Sequence, residues 1–175
     1  MREEKIKIYS FKELSKEAQQ RAIDDWRNNN DMPELNDLLA EEAKMLLDQT
    51  TLNEKIPLRN FDNIDVSCSL GFLQSDFLTL TYIGEIERED GSFFSFKVEG
   101  YGLQHQFRPD ITIYSDEDGE EEEKMEEVIR EHHEKLCHKV MEMGHNYILE
   151  ENEDDNIAEN ITLNDYEFTE DGKLY

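Results

Sequence analysis

Between Glu120 and Glu150 the chain reads EEEEKMEEVIREHHEKLCHKVMEMGHNYILE, a run without proline and with one glycine near its end. Met125, Val128, Ile129, His132, Leu136, Val140 and Tyr147 recur at steps of three, four and seven, which places them on one helical face. Glu123, Glu127, Arg130, Glu134 and Glu142 fall on the opposite face. A helix this long and this amphipathic needs an apolar surface to lie on.

The pattern changes character along the chain. Lys5 to Tyr9 alternates and reads as a short strand with Ile6 and Ile8 on one side. Ser15 is a good N-cap for a helix beginning at Lys16, with Ala18, Ala22, Ile23 and Trp26 inward as core. Pro33 suits the first turn of a second helix, Glu34 to Gln49, that turns Leu35, Leu38, Leu39, Ala43, Leu46 and Leu47 inward. From Ile64 the period becomes two: Ile64, Val66, Cys68 and Leu70 alternate with Asp65, Ser67 and Ser69. Phe77 to Ile86, Ser92 to Tyr101 and Phe107 to Tyr114 read as three further strands. Glu89-Asp90-Gly91 makes a hairpin turn, and Pro109 argues for an edge position. Beyond the long helix, Ile157 and Ile161 mark a short helical segment, Tyr166 to Phe168 looks extended, and Glu170 to Lys173 is a turn.

The expected architecture is α+β: a four- to five-stranded antiparallel sheet with helices packed on one face, the long amphipathic helix among them. At 175 residues the chain is expected to form a single domain. Its parts are a strand and two helices (1–50), a meander (62–115), the long helix (120–150) and an acidic tail with a short helix and terminal turn (151–175).

Charge narrows the function. The formal net charge is −26, and from Asp110 onward there are 23 acids against 5 Lys/Arg. Direct nucleic-acid binding and an anionic membrane surface are excluded as expectations, because both need clustered Lys/Arg. No apolar run approaches a membrane span, and two cysteines, Cys68 and Cys137, are too few for a disulfide framework. A cytoplasmic protein of a host cell is the expectation, with a basic protein as the partner such charge would steer.

Asp116 to Glu123 is acidic at seven of eight positions, broken only by Gly119. Acids there favour the positive end of the following helix, which accounts for their placement; the functional reading is a phosphate-mimicking patch. Asp116, Glu117, Asp118, Glu120, Glu121, Glu122, Glu123 and Glu127 are therefore the candidate partner-binding acids. Phe72 joins them, from the loop Ser69 to Phe77, where apolar bulk near a turn covers the core end or docks a partner.

Catalytic signatures are sparse. His133-Glu134-Lys135-Leu136-Cys137 is a near miss of the HExxH zinc pattern, and His133 and Cys137 have the spacing to grip one metal from a helix. His138 lies about 100° around that helix from Cys137, at 3.6 residues per turn, and no outside ligand is indicated. Asp62, Asp65 and Asp76 are the acids nearest to aromatics where a catalytic pair would sit. Neither a phosphate loop nor a GxSxG nucleophile is present. The chain is not expected to be an enzyme, and neither cofactor nor metal is assigned.

Two stretches carry a resemblance. Ile8 to Ile23 (IYSFKELSKEAQQRAI) resembles the YSFxELSxxAxxxAI opening of a family of small bacteriophage-encoded proteins. Asn164 to Leu174 (NDYEFTEDGKL) is similar to their NEYEFTEDGxL ending, with Asp165 in place of Glu. The family's SxSxxQGDGxxF-like centre is matched only in part by Ser67-Cys68-Ser69 and Gln74-Ser75-Asp76-Phe77, without the glycines. Members are described as phage or antitoxin-like proteins, and no catalytic residue comes with them. The resemblance and the acidity together imply a phage accessory protein, anti-CRISPR-like or otherwise anti-defence. It would inhibit a host nucleic-acid-handling complex by binding a basic surface, as a nucleic-acid mimic. The alternatives are an antitoxin-like protein that neutralises a basic toxin, a small metal-dependent enzyme or metal sensor using His133 and Cys137, and a structural or assembly protein of a phage.

Overall fold

A computed structural model describes residues 7–29, 32, 34–54, 57–71, 76–88, 90–103, 106–114 and 120–175, without the side chains of 50–54, 101–103, 106–108 and 120–121. The fold is α+β: the described residues form four α-helices, a four-stranded antiparallel sheet and a separate two-stranded one. No helix among the described residues is long and apolar enough to cross a membrane. By its internal contacts the chain divides into two compact units. The first comprises Met1–Met32 and Asn146–Tyr175, the second Pro33–His145.

The first unit joins the two ends of the chain. Strand β1 (Tyr9–Ser10) pairs antiparallel with β6 (Glu167–Phe168), Tyr9 opposite Phe168. The alternation predicts a strand over Lys5 to Tyr9. Pairing instead occupies Tyr9–Ser10 and leaves Ile8 40% exposed, while Lys5 and Ile6 lie outside the described residues. A 3-10 turn (Phe11–Glu13) follows, its start held by Ser10, whose N–H and Oγ–H both donate to Glu13 Oε2 at 2.8 Å. Helix α1 (Lys16–Asn29) begins where expected: Ser15 Oγ accepts the Ala18 N–H at 3.2 Å, satisfying one of the orphan donors of the first turn. Phe11, Leu14, Ala18, Ala22 and Ile23 pack with Ile157 and Ile161 of α4 (Asp154–Leu163) and with Phe168. Gly172, at φ +85°, lies so close to the Ala18 carbonyl that a Cβ there would collide with it. The stretches Ile8–Ile23 and Asn164–Leu174 thus contribute, with α4, to one core: packing accounts for Ala18, Ala22, Ile23, Phe168 and Gly172, and capping for Ser15.

The second unit is a sheet with helices on one face. Strands β2 (Leu58–Ser69), β3 (Phe77–Glu87), β4 (Phe93–Leu103) and β5 (Gln106–Tyr114) pair in the order β2-β3-β4-β5, so Pro109 does sit in an edge strand. The hairpin turn is carried by Gly91 at φ +83° and by Asp90 Oδ1, which accepts from the Ser92 N–H at 2.9 Å. Leu58, Val66, Leu78, Leu80, Tyr82, Ile86, Phe96 and Val98 face inward and are buried. The other face is mixed and exposed: Arg59 pairs with Glu85 at 3.8 Å and lies over the Phe93 ring, Lys97 pairs with Glu99 at 2.7 Å, and Phe77, Phe93 and Tyr114 stand exposed among them. An antiparallel sheet with one wet face behaves this way.

Strand β2 starts earlier than the alternation from Ile64 suggests. Asn60 and Asn63, at φ 54° and 52°, take left-handed conformations between breaks in register, so polar residues interrupt the period. Helix α2 (Leu35–Glu54) covers this strand with Leu39, Ala43 and Leu47, while Asn36 Oδ1 accepts the Cys68 N–H at 3.1 Å. Helix α3 (Glu120–Glu151) belongs to this unit through His145. Its Gly144 lies against Leu39 and Leu70, whose terminal methyls would have to shift to admit a larger residue.

Candidate functional site

Helix α3 buries Met125, Ile129, His132, His133, Leu136, Cys137, Val140, Met141 and Gly144. The opposite positions follow: Glu123, Glu127, Glu131, Glu134, His138 and Glu142 are all exposed, at steps of four, four, three, four and four. Successive members lie about 6 Å apart along the axis at 1.5 Å per residue. They form one narrow stripe, flanked by Lys124, Lys135 and Lys139, also exposed. Val128, expected inward, is 38% exposed beside the stripe, because the buried arc centres on Ile129 and His133 and leaves Val128 past its margin.

The helix dipole does not account for this stripe. Its stabilisation of acids fades beyond the first turn, so Glu127, Glu131 and Glu134 lie outside its reach. Glu123–Glu127 and Glu127–Glu131 are like-charged pairs at i, i+4, each destabilising an isolated helix by about 0.2–0.5 kcal/mol. Glu126 escapes the pattern through its ion pair with Arg130, whose other nitrogen donates to the Pro109 carbonyl at 3.2 Å.

Of the acids singled out from the sequence, Glu123 and Glu127 are exposed and aligned, and Glu122 is half-buried beside them. Glu120 and Glu121 open the helix, with side chains outside the described residues. Asp116, Glu117, Asp118 and Phe72 lie outside the described residues altogether. Glu131 is absent from the acids the sequence points to, Glu134 is placed by it only on the polar face and Val128 on the apolar one; the 3.6-residue period that finds Glu127 also places Glu131 beside it.

A second polar group is internal. His133 Nε2 lies 3.2 Å from Cys137 Sγ, and its ring stacks on Tyr82 with centroids 5.7 Å apart. Burial first, then the charges of His132 and Arg130, lowers the His133 pKa to about 4, so the ring is neutral at pH 7. Burial also pushes the Cys137 and Tyr82 groups well above their ordinary values. His132 stacks on Phe61, centroids 6.4 Å apart, and serves as an aromatic wall. His133 and Cys137 do come together, but no group of three His, Cys, Asp or Glu among the described residues could hold a metal ion. A protonated thiol and a neutral imidazole under the sheet make a packed polar contact.

The three aspartates considered as a catalytic pair separate. Asp62 and Asp65 stand exposed opposite Ile83 and Thr81, whereas Asp76 is 2% exposed with Oδ2 2.9 Å from His145 Nε2 and Oδ1 accepting the Gly71 N–H at 3.0 Å. Asp76 thereby ties the connection between β2 and β3 to α3. Comparison with protein-family models, with curated proteins and with solved structures finds no match.

Proposed function

We propose that this protein is an accessory inhibitor of the phage anti-defence kind, which lays the acidic stripe of α3 against a Lys/Arg-lined, nucleic-acid-handling surface of another protein. The single observation that supports this is the exposed Glu123–Glu127–Glu131–Glu134 alignment. Like charges stay adjacent at a cost to the helix, beyond the reach of its dipole. A basic groove shaped for phosphates would relieve that repulsion and gain the charge pairs. Val128, beside the stripe, would add a small apolar contact at its edge. In this reading the protein blocks by occupancy and needs no catalytic group.

The test is capture from host lysate with tagged wild type and with a variant carrying Glu123→Gln, Glu127→Gln, Glu131→Gln and Glu134→Gln. The reading expects a nucleic-acid-binding protein that is captured by the wild type, lost in the variant and displaced by added nucleic acid. Capture that survives both the variant and the competitor contradicts it.

A further inference from the structure

A groove of about 350 Å³ runs along the first unit, between α1 and the C-terminal turn. Trp26, Ala22 and Phe168 give it apolar walls, with Leu174 at the rim; Gly172, seated on the Ala18 carbonyl, forms part of its floor. Asp25 and Asn29, one turn apart on α1, stand at its mouth. Trp26, expected as core, does pack against the core of this unit, but it is half-buried and its outer part forms this wall. Tyr166, not itself a lining residue, supports the indole with ring centroids 4.9 Å apart.

Polar commitments around the groove are uneven. Arg27, the nearest cation in sequence, is spent: it pairs with Asp24 at 3.1 Å and with Asp154, and donates to the Asn152 carbonyl at 3.1 Å. Asn29 Nδ2 donates to the Asp25 carbonyl at 2.7 Å, which leaves its Oδ1 as an acceptor. The Asp25 carboxylate is exposed and makes no hydrogen bond or ion pair among the described residues. Among the described residues Asp25 is the only charged one that lines the groove. The surrounding field has the same sign, since residues 146–175 hold 10 acids against one lysine.

We propose that this groove is a receptor for an arginine side chain of a basic protein partner, the guanidinium lying on the Trp26 indole while its N–H groups donate to the Asp25 carboxylate and Asn29 Oδ1. The chemistry selects a cation because the only charged lining residue among the described ones is an acid that pairs with none of them. It selects arginine over lysine because a planar, weakly hydrated fork of five donors can lie on an indole and still reach two acceptors on adjacent turns. This site is independent of the acidic stripe on α3 and stands if that reading fails.

Trp26 is the chain's only tryptophan, so its emission reports this groove alone. The full-length protein is titrated with the blocked tripeptide acetyl-Gly-Arg-Gly-amide, and in parallel with its citrulline and lysine counterparts. A single side chain should give a saturable change with a dissociation constant in the millimolar range. Citrulline should bind at least about 10-fold more weakly, lysine several-fold more weakly, and Asp25→Asn should weaken the arginine peptide about 5-fold. The four-glutamine variant of α3 should titrate like wild type. No saturable change, or equal response to citrulline and arginine, overturns the proposal. So does emission that shifts with protein concentration alone, which would put a second copy of the chain in the groove. Because Asp25 is exposed, unchanged circular dichroism is expected for Asp25→Asn. The Trp26 indole N–H cross-peak in an NMR titration supplies a second readout.

Discussion

The His133 imidazole occupies the space that a side chain at position 100 would fill: a Cβ on Gly100 would meet Nε2 and Cε1 of that ring. The long helix approaches β4 this closely only because position 100 is glycine. Gly100→Ala forces the imidazole away from Tyr82 and overpacks a buried site, which typically costs about 1–3 kcal/mol. Urea denaturation should show a lower midpoint with an unchanged slope. An unchanged midpoint would mean that α3 does not rest on the sheet at this point.

The same imidazole makes stability depend on pH. Its pKa falls from 6.5 in the unfolded chain to about 4 in the fold, so the unfolded state binds more protons between these values. The contribution is fully present above pH 6.5 and is lost as pH falls toward 4. From 2.303RT per pKa unit, the loss by pH 5 is about 2 kcal/mol. Urea titrations at pH 7.5 and 5 should differ by about that much in wild type and clearly less in His133→Gln. Equal pH sensitivity in the two would assign the effect to other groups.

Cys68 and Cys137 should separate by accessibility. Cys137 is 1% exposed against His133, while Cys68 is half-buried at the α2–β2 contact with its Sγ 3.3 Å from Asn36 Oδ1. Burial raises both thiol pKa values, Cys137 the further. A thiol reagent at pH 8 should label Cys68 slowly and leave Cys137 untouched until urea unfolds the protein. Rapid labelling of both in the native state would contradict the packing of α3.

Gly172→Ala tests the closure of the chain ends. The residue has φ +85° and lies on the Ala18 carbonyl, so alanine meets both backbone strain and a collision. A loss of about 1–3 kcal/mol is expected from such strain. Trp26 fluorescence during denaturation should report it directly. A variant as stable as wild type would show that the C-terminal turn does not need this approach.

These elements were legible in the sequence to different degrees. Ser15, Ala18, Ala22 and Ile23 announced α1 because cap and period are local, and the 3.6-residue period of α3 survived 32 residues. The start of β2 was hidden, since Asn60 and Asn63 break the alternation from which strands are read. The pairing of Tyr9 with Phe168 joins opposite ends of the chain, and no local pattern encodes so distant a partner. The same distance hid the groove: Trp26 reads as core until Phe168 and Gly172 arrive beside it. In the stripe, Glu127 was found and Glu131 was not, because the dense acids before Glu123 drew the reading toward the helix start.

The most direct test of the proposed docking is the salt dependence of binding to the partner recovered by capture. Affinity is measured between 50 and 200 mM salt for wild type and for the four-glutamine variant of α3. Charge-complementary docking predicts steep weakening of the wild type as screening shortens the reach of the stripe, and a clearly shallower slope in the variant. Equal slopes, or wild-type binding that ignores salt, would contradict it.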